Sequence, residues 1–194
     1  MGNLFHFSSR ADLDGAKNLE SFISRCRNDL TVFRADLDFD SWLWPKAANF
    51  TKLGSGSRST TVEDRMGAPF INFAKAYFRY QQGHNPTGTR NETKALKILE
   101  RALSETHGVP DILNLDVNAL DQAAVLAQEY FQPGAAYQCG RELERLAHFV
   151  SESKFISNNC WTWRHPVPRP EGADRTGRKA REARDQSFLH QMQC

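Results

Sequence analysis

Residues 89–103 read TRNETKALKILERAL. Ala95, Leu96, Leu99, Ala102 and Leu103 recur at three- and four-residue steps, which gathers them on one face of an α-helix. Arg90, Lys94, Lys97 and Arg101, spaced 4, 3 and 4, fall nearly opposite. Thr89 and Glu92 have the spacing of a capping box, with Thr89 as N-cap and Glu92 reaching back. Gly108, Val109 and Pro110 end the helix. A helix with one apolar stripe has to pack on other elements, and the sequence on both sides supplies them.

Upstream, Phe70, Phe73, Ala74, Tyr77 and Phe78 predict a helix from about Pro69 to Gln82. Lys75 and Arg79, one turn apart, are expected on its outer side. Downstream, Asp116 is a natural N-cap, with Leu115 and Leu120 placed as a hydrophobic staple. Val117, Leu120, Ala123, Ala124 and Ala127 give that helix its buried side. Asp121, Gln122 and Glu129 are expected outside, with no basic residue, so it reads as a buttress. A fourth helix follows Pro133-Gly134 and runs to about Ser153. Ala136, Cys139, Leu143, Leu146, Ala147 and Val150 form its stripe, with Arg141, Arg145 and His148 opposite. Strand-like alternation is absent from 66 to 156, so the module is predicted to be all-α with four helices.

Before the module, Leu19, Phe22, Ile23, Cys26, Leu30 and Phe33 predict a helix over residues 12–33, capped by Asp12 or Asp14. Phe39, Trp42, Leu43 and Trp44 follow, and are expected to pack on that helix or on the module rather than to stack on bases. Gly54-Ser55-Gly56-Ser57 and the residues to Thr61 read as a linker. Three segments result: an N-terminal helical appendage with its linker (1–65), the helical module (66–157) and a Trp/Pro/Arg-rich tail (158–194). Pro166, Pro168 and Pro170 favour an extended path for the tail.

The 194 residues carry a net charge of only +2, but unevenly. From Arg164 to Arg184 seven basic residues face three acidic ones, a local +4, which leaves −2 on the rest. Such a segment on a near-neutral body points to a local polyanion contact. With 40% apolar and 25% charged residues, and no run of about 18 apolar ones, the chain reads as soluble and free of a membrane span. Cys26, Cys139, Cys160 and Cys194 are far apart and are expected as free thiols in a cytoplasmic protein. The six histidines form no HxxH or HExxH pattern, so no metal or cofactor is expected. Gly54-Ser55-Gly56 lacks the third glycine and the flanking strand and helix of a phosphate loop.

Basic stripes on three of the four helices, followed by a basic extended segment, would together neutralise roughly 6–10 phosphates, enough for strongly salt-dependent binding. Phe70-Ile-Asn-Phe-Ala-Lys-Ala-Tyr77, a basic helix, an Asp-capped helix and Leu143-Glu-Arg-Leu146 come in an order that resembles the core-binding domain of phage-type tyrosine recombinases (integrases). Trp163-Arg-His-Pro-Val-Pro-Arg-Pro170 and Gly177-Arg-Lys-Ala-Arg-Glu-Ala-Arg184 resemble the linker that leads to the catalytic domain in large bacterial integrases. Asn18-Leu-Glu-Ser-Phe-Ile23 and Leu30-Thr-Val-Phe33 are similar to the extra N-terminal segment of that group. The likeness spans nearly residues 16–186.

What it implies is a SAM-like helical domain that forms one arm of a clamp on double-stranded DNA, alongside other recombinase subunits, in the bacterial nucleoid. The family's chemistry needs an Arg, a Lys, an HxxR pair, a further His or Trp, and a nucleophilic Tyr, none of which can be placed here. His165 and Arg169 are spaced one residue too far apart, and Tyr77, Tyr80, Tyr130 and Tyr137 fall inside the helices. The expectation is therefore a DNA-binding part without enzymatic activity of its own, a truncated or interrupted integrase. The expected contacts are Lys75, Arg79, Arg90, Lys94, Lys97, Arg101, Arg141, Arg145, Arg164, Arg169, Arg178 and Lys179, mostly to phosphates. The alternative is a helical protein-interaction or regulatory domain that docks through the aromatic cluster at 39–44.

Overall fold

The computed structural model describes residues 10–28, 38–44, 47–55, 61–84, 89–157 and 160–171. Among these the chain is mostly helical, as expected: α1 (Ala11–Asn28), α2 (Phe70–His84), α3 (Thr89–His107), α4 (Val117–Tyr130) and α5 (Pro133–Glu152). No helix among the described residues is long and apolar enough to cross a membrane. Two two-residue strands, β1 (Leu43–Trp44) and β2 (Ala48–Asn49), pair antiparallel between α1 and α2.

The stripes of α3 and α5 are buried along their whole length, and α4 packs against both. Asp116 caps α4: its carboxylate accepts from the Ala119 amide at 2.8 Å, while Leu115 and Leu120 are buried around it. Val117 departs from its expected place on the buried side. It opens the first turn, one step before the stripe engages at Ala119, and is 47% exposed. Pro133 starts α5, where a missing amide hydrogen is harmless. The first helix begins at Ala11, so Asp12 and Asp14 lie inside its first turn. Leu30 and Phe33, expected at its end, lie outside the described residues.

The N-terminal residues do more than accompany the four helices. One continuous cluster of buried side chains includes Leu19, Phe22 and Cys26 of α1, Phe39, Trp44 and Phe50 beyond it, and the stripes of α2 to α5. Phe22 packs on Phe149 and Phe155, with ring centroids 5.2 and 5.5 Å away. Trp44 meets Phe50 edge-on at 4.9 Å and Phe78 at 6.0 Å. Phe39 and Trp44 are thus buried, which leaves the exposed Leu43 and the half-buried Trp42 as the accessible members of the cluster on which the protein-interaction alternative relied. The flanks of the Gly/Ser stretch also pair with each other: the Met66 amide donates to Phe50 O, and the Lys52 amide to Asp64 O. The stretch expected as a spacer is bracketed by one closed loop.

Two further contacts tie the beginning of the described chain to its far end. Asn18 Nδ2 donates to Lys154 O at 3.0 Å. Gly15 lies so close to the Phe155 carbonyl oxygen that a side-chain carbon there would collide with backbone. The extended tail likewise begins by folding back. Trp163 and Val167 are buried, and Trp163 Nε1 donates to Asp121 on α4 at 2.8 Å.

Candidate nucleic-acid interface

Packing sorts the expected phosphate contacts into two groups. Lys75 and Arg79 are corrected first: they are 3% and 9% exposed, not on an outer face. The N-terminal segment covers the side of α2 that periodicity assigned to solvent. Lys75 Nζ donates to Phe39 O at 2.7 Å, and burial lowers its pKa. Arg79 reaches Arg27 O at 3.4 Å. Lys97 is also turned inward, donating to Thr51 Oγ1 at 2.7 Å, and burial lowers its pKa too. These three side chains hold the N-terminal segment onto α2 and α3. Lys94 sits over the Phe131 ring at 5.3 Å, and Arg101 is exposed but paired with Glu105. Arg169 is exposed. The Arg90 side chain, Arg178 and Lys179 lie outside the described residues.

Three of the expected contacts converge. On α5, Tyr137, Arg141, Arg145, His148 and Glu152 recur at three- and four-residue steps and line one side of the helix. The extended segment after residue 160 runs back beside them. It can come this close because residue 140 is glycine, where a Cβ would stand 2.8 Å from His165 Nδ1. Tyr80 and Gln81, near the end of α2, close the far wall. The result is an open cleft of about 610 Å³ lined by Arg141, Arg145 and Arg164 together with His148 and His165.

Two of these guanidinium groups are held by acids of α5. Arg145 Nη1 donates to both carboxylate oxygens of Glu142, at 2.9 and 2.7 Å. Arg164 Nε lies 3.3 Å from Glu144 Oε1, and its Nη1 donates to Trp163 O at 3.0 Å. Arg141 is exposed and forms no ion pair among the described residues. His148 Nδ1 lies 3.3 Å from Glu152, and its ring packs on the half-exposed Trp161 at 4.4 Å.

Beneath the cleft lie two carboxylates that sequence reasoning missed. Glu142 is 7% exposed and Glu92, expected to reach back as part of the cap, only 3%. Glu92 Oε2 has no hydrogen-bond partner among the described residues. Burial raises the pKa of both groups, and the charge of each carboxylate also acts on the buried Tyr77. A carboxyl with a raised pKa in the fold takes its proton before the unfolded chain does. Its contribution to stability therefore grows as pH falls through the folded value, is complete below the unfolded one, and is lost on going back to neutral. Glu92→Gln is accordingly expected to raise Tm at pH 7.5 by about 2–4 °C, the shift for about 1 kcal/mol in a chain of this size. The gain should fade towards pH 5, and thermal melts at both pH values measure it.

Chemically, the arrangement can bind anions. Cys139 and Cys160 offer no ready nucleophile: burial pushes the Cys139 thiol up to about 12 and that of Cys160 up to about 11. The described residues hold no group of three or more His, Cys, Asp or Glu placed to bind a metal ion. No protein-family model matches the chain, and no curated protein or solved structure matches it either.

Proposed function

We propose that this chain binds double-stranded DNA as the SAM-like core-binding part of a tyrosine recombinase, acting with other recombinase subunits in the bacterial cytoplasm. The observation that carries the reading is the meeting of Arg141, Arg145 and Arg164, two from α5 and one from a segment that folds back onto it, around a single cleft. Guanidinium groups grouped in this way recognise phosphate oxygens by paired donors. The resemblance of residues 16–186 to integrases supplies the nature of the polyanion. In this reading the cleft and the exposed Arg169 grip the backbone, and Arg101 adds a contact if it exchanges Glu105 for a phosphate. The module positions DNA and carries out no bond breaking itself.

The test is a salt titration with a labelled duplex of about 30 base pairs, followed by fluorescence anisotropy. Each neutralised phosphate contributes about −0.9 to the slope of log K against log salt, so the three cleft arginines and Arg169 predict a slope of about −3.6. A slope near zero, or no binding at about 50 mM salt, where electrostatic binding is strong, would overturn the proposal.

A further inference from the structure

Arg145 serves two partners. It lines the cleft with nearly half of its side chain exposed, yet one of its nitrogens is committed to both oxygens of Glu142. Glu142 has little else to neutralise it. From α3 it faces Glu92, a second buried carboxylate whose Oε2 has no partner among the described residues. From α2 it faces the Tyr77 hydroxyl, which is buried. On its own helix the nearby groups are Arg141, Arg145 and the protonated Cys139 thiol, and the charge of Lys94 of α3 also acts on that thiol. Glu92 also accepts from its own backbone amide, and Arg145 is the cation that the two buried carboxylates share.

We propose that the cleft takes up a phosphate and a proton together: Arg145 leaves Glu142 for the phosphate, and a proton from solvent goes onto the Glu92–Glu142 pair in its place. The inference rests on the reading of the cleft as a DNA-phosphate site. It follows from the poor solvation of an ion left alone in an apolar interior. Without the proton, drawing Arg145 outward would strand two negative charges between α2, α3 and α5. With it, one of the two charges is neutralised. Raised pKa values at both glutamates favour the same direction. DNA binding then tightens as pH falls, and Glu142 acts as a positioning residue that sets how available Arg145 is.

Duplex affinity is measured from pH 5.5 to 8.5 at constant salt, for the intact chain and for Glu142→Gln and Glu92→Gln. Uptake of one proton gives a tightening that approaches tenfold per pH unit. Glu142→Gln releases Arg145 without adding a buried charge. It is expected to bind about three- to tenfold more tightly at pH 8, a change equivalent to one weak charge contact, and to lose most of the pH dependence. His148 and His165 also face the cleft and remain in place in this variant, so a slope due to them would survive. Glu92→Gln is expected to flatten the slope without releasing Arg145, which keeps the idea testable if Glu142→Gln folds poorly. Calorimetry of the intact chain in buffers of different ionisation enthalpy counts the proton directly. DNA binding with the same pH slope in all three proteins would sink the coupled proton and leave the DNA reading standing. Absence of binding in all three would remove the DNA reading itself, and the inference with it.

Discussion

Removal of residues 1–53 is expected to unfold the rest of the chain. The four-helix region has an apolar surface that, among the described residues, the N-terminal segment covers. Phe22 fills the space between Tyr80, Phe149 and Phe155, and Trp44 sits on Phe50 and Phe78. Both are essentially inaccessible to solvent. Truncating one such aromatic to alanine costs about 3–5 kcal/mol, against a total stability of about 5–15 kcal/mol for a typical domain. The deletion removes several at once. It also takes away the carbonyls that Lys75 and Arg79 use, leaving two buried cations without those acceptors. Thermal unfolding followed by circular dichroism decides the matter. A cooperative transition in residues 54–194, close to that of the intact chain, would refute the shared core. Trp44→Ala is the milder version, and should lower stability by about 3–5 kcal/mol without abolishing the fold.

The combined replacement Arg141→Ala, Arg145→Gln and Arg164→Ala is expected to weaken duplex binding at least about 100-fold at low salt. Charge-assisted hydrogen bonds are individually worth about 1.5–3 kcal/mol, and three are removed. The salt slope should fall by about 3, one for each lost phosphate contact. Positions 141 and 164 are exposed, but glutamine at 145 removes the cation paired with the buried Glu142, so the melting temperature should fall at neutral pH, and affinities are compared well below it. Lys97→Ala makes the contrast. Its side chain is spent on Thr51, so the variant should lose stability while its DNA affinity stays within about twofold, the scatter of a neutral change. The reverse pattern, with Lys97 governing affinity and the three arginines dispensable, would move the interface away from α5.

The helices were legible because local rules dictate them. Asp116 sits one step before an apolar stripe, and the structure uses it as the cap it looks like. The stripes of α3 and α5 obey the same periodicity in sequence and in space. That arithmetic fails at α2, where every residue from Phe73 to Arg79 is buried. A wheel assigns Lys75 and Arg79 to solvent since it knows of one packed face only. The second face is covered by residues around Phe39, far away in sequence. One signal was present: the aromatics at 39–44 needed a surface to bury against, and α2 is rich in apolar residues all round.

The cleft was half legible. Arg141 and Arg145 share a face by spacing alone, but Arg164 joins them only when the tail turns back over Gly140. Glu92 and Glu142 were invisible for the opposite reason. Pattern reading places charge outside, and no local rule indicates that a carboxylate is to be buried beside another.

The bond between Asn18 and Lys154 joins positions 136 residues apart, and Gly15 lies against Phe155 on the same seam. Translation delivers these positions in order, at about 5–20 residues per second. The first helix therefore leaves the ribosome on the order of 10 seconds before its seat is complete. For much of that interval Phe22 has only Tyr80 of α2 to meet, and the last helix to be made, with Phe149, closes the seat around it.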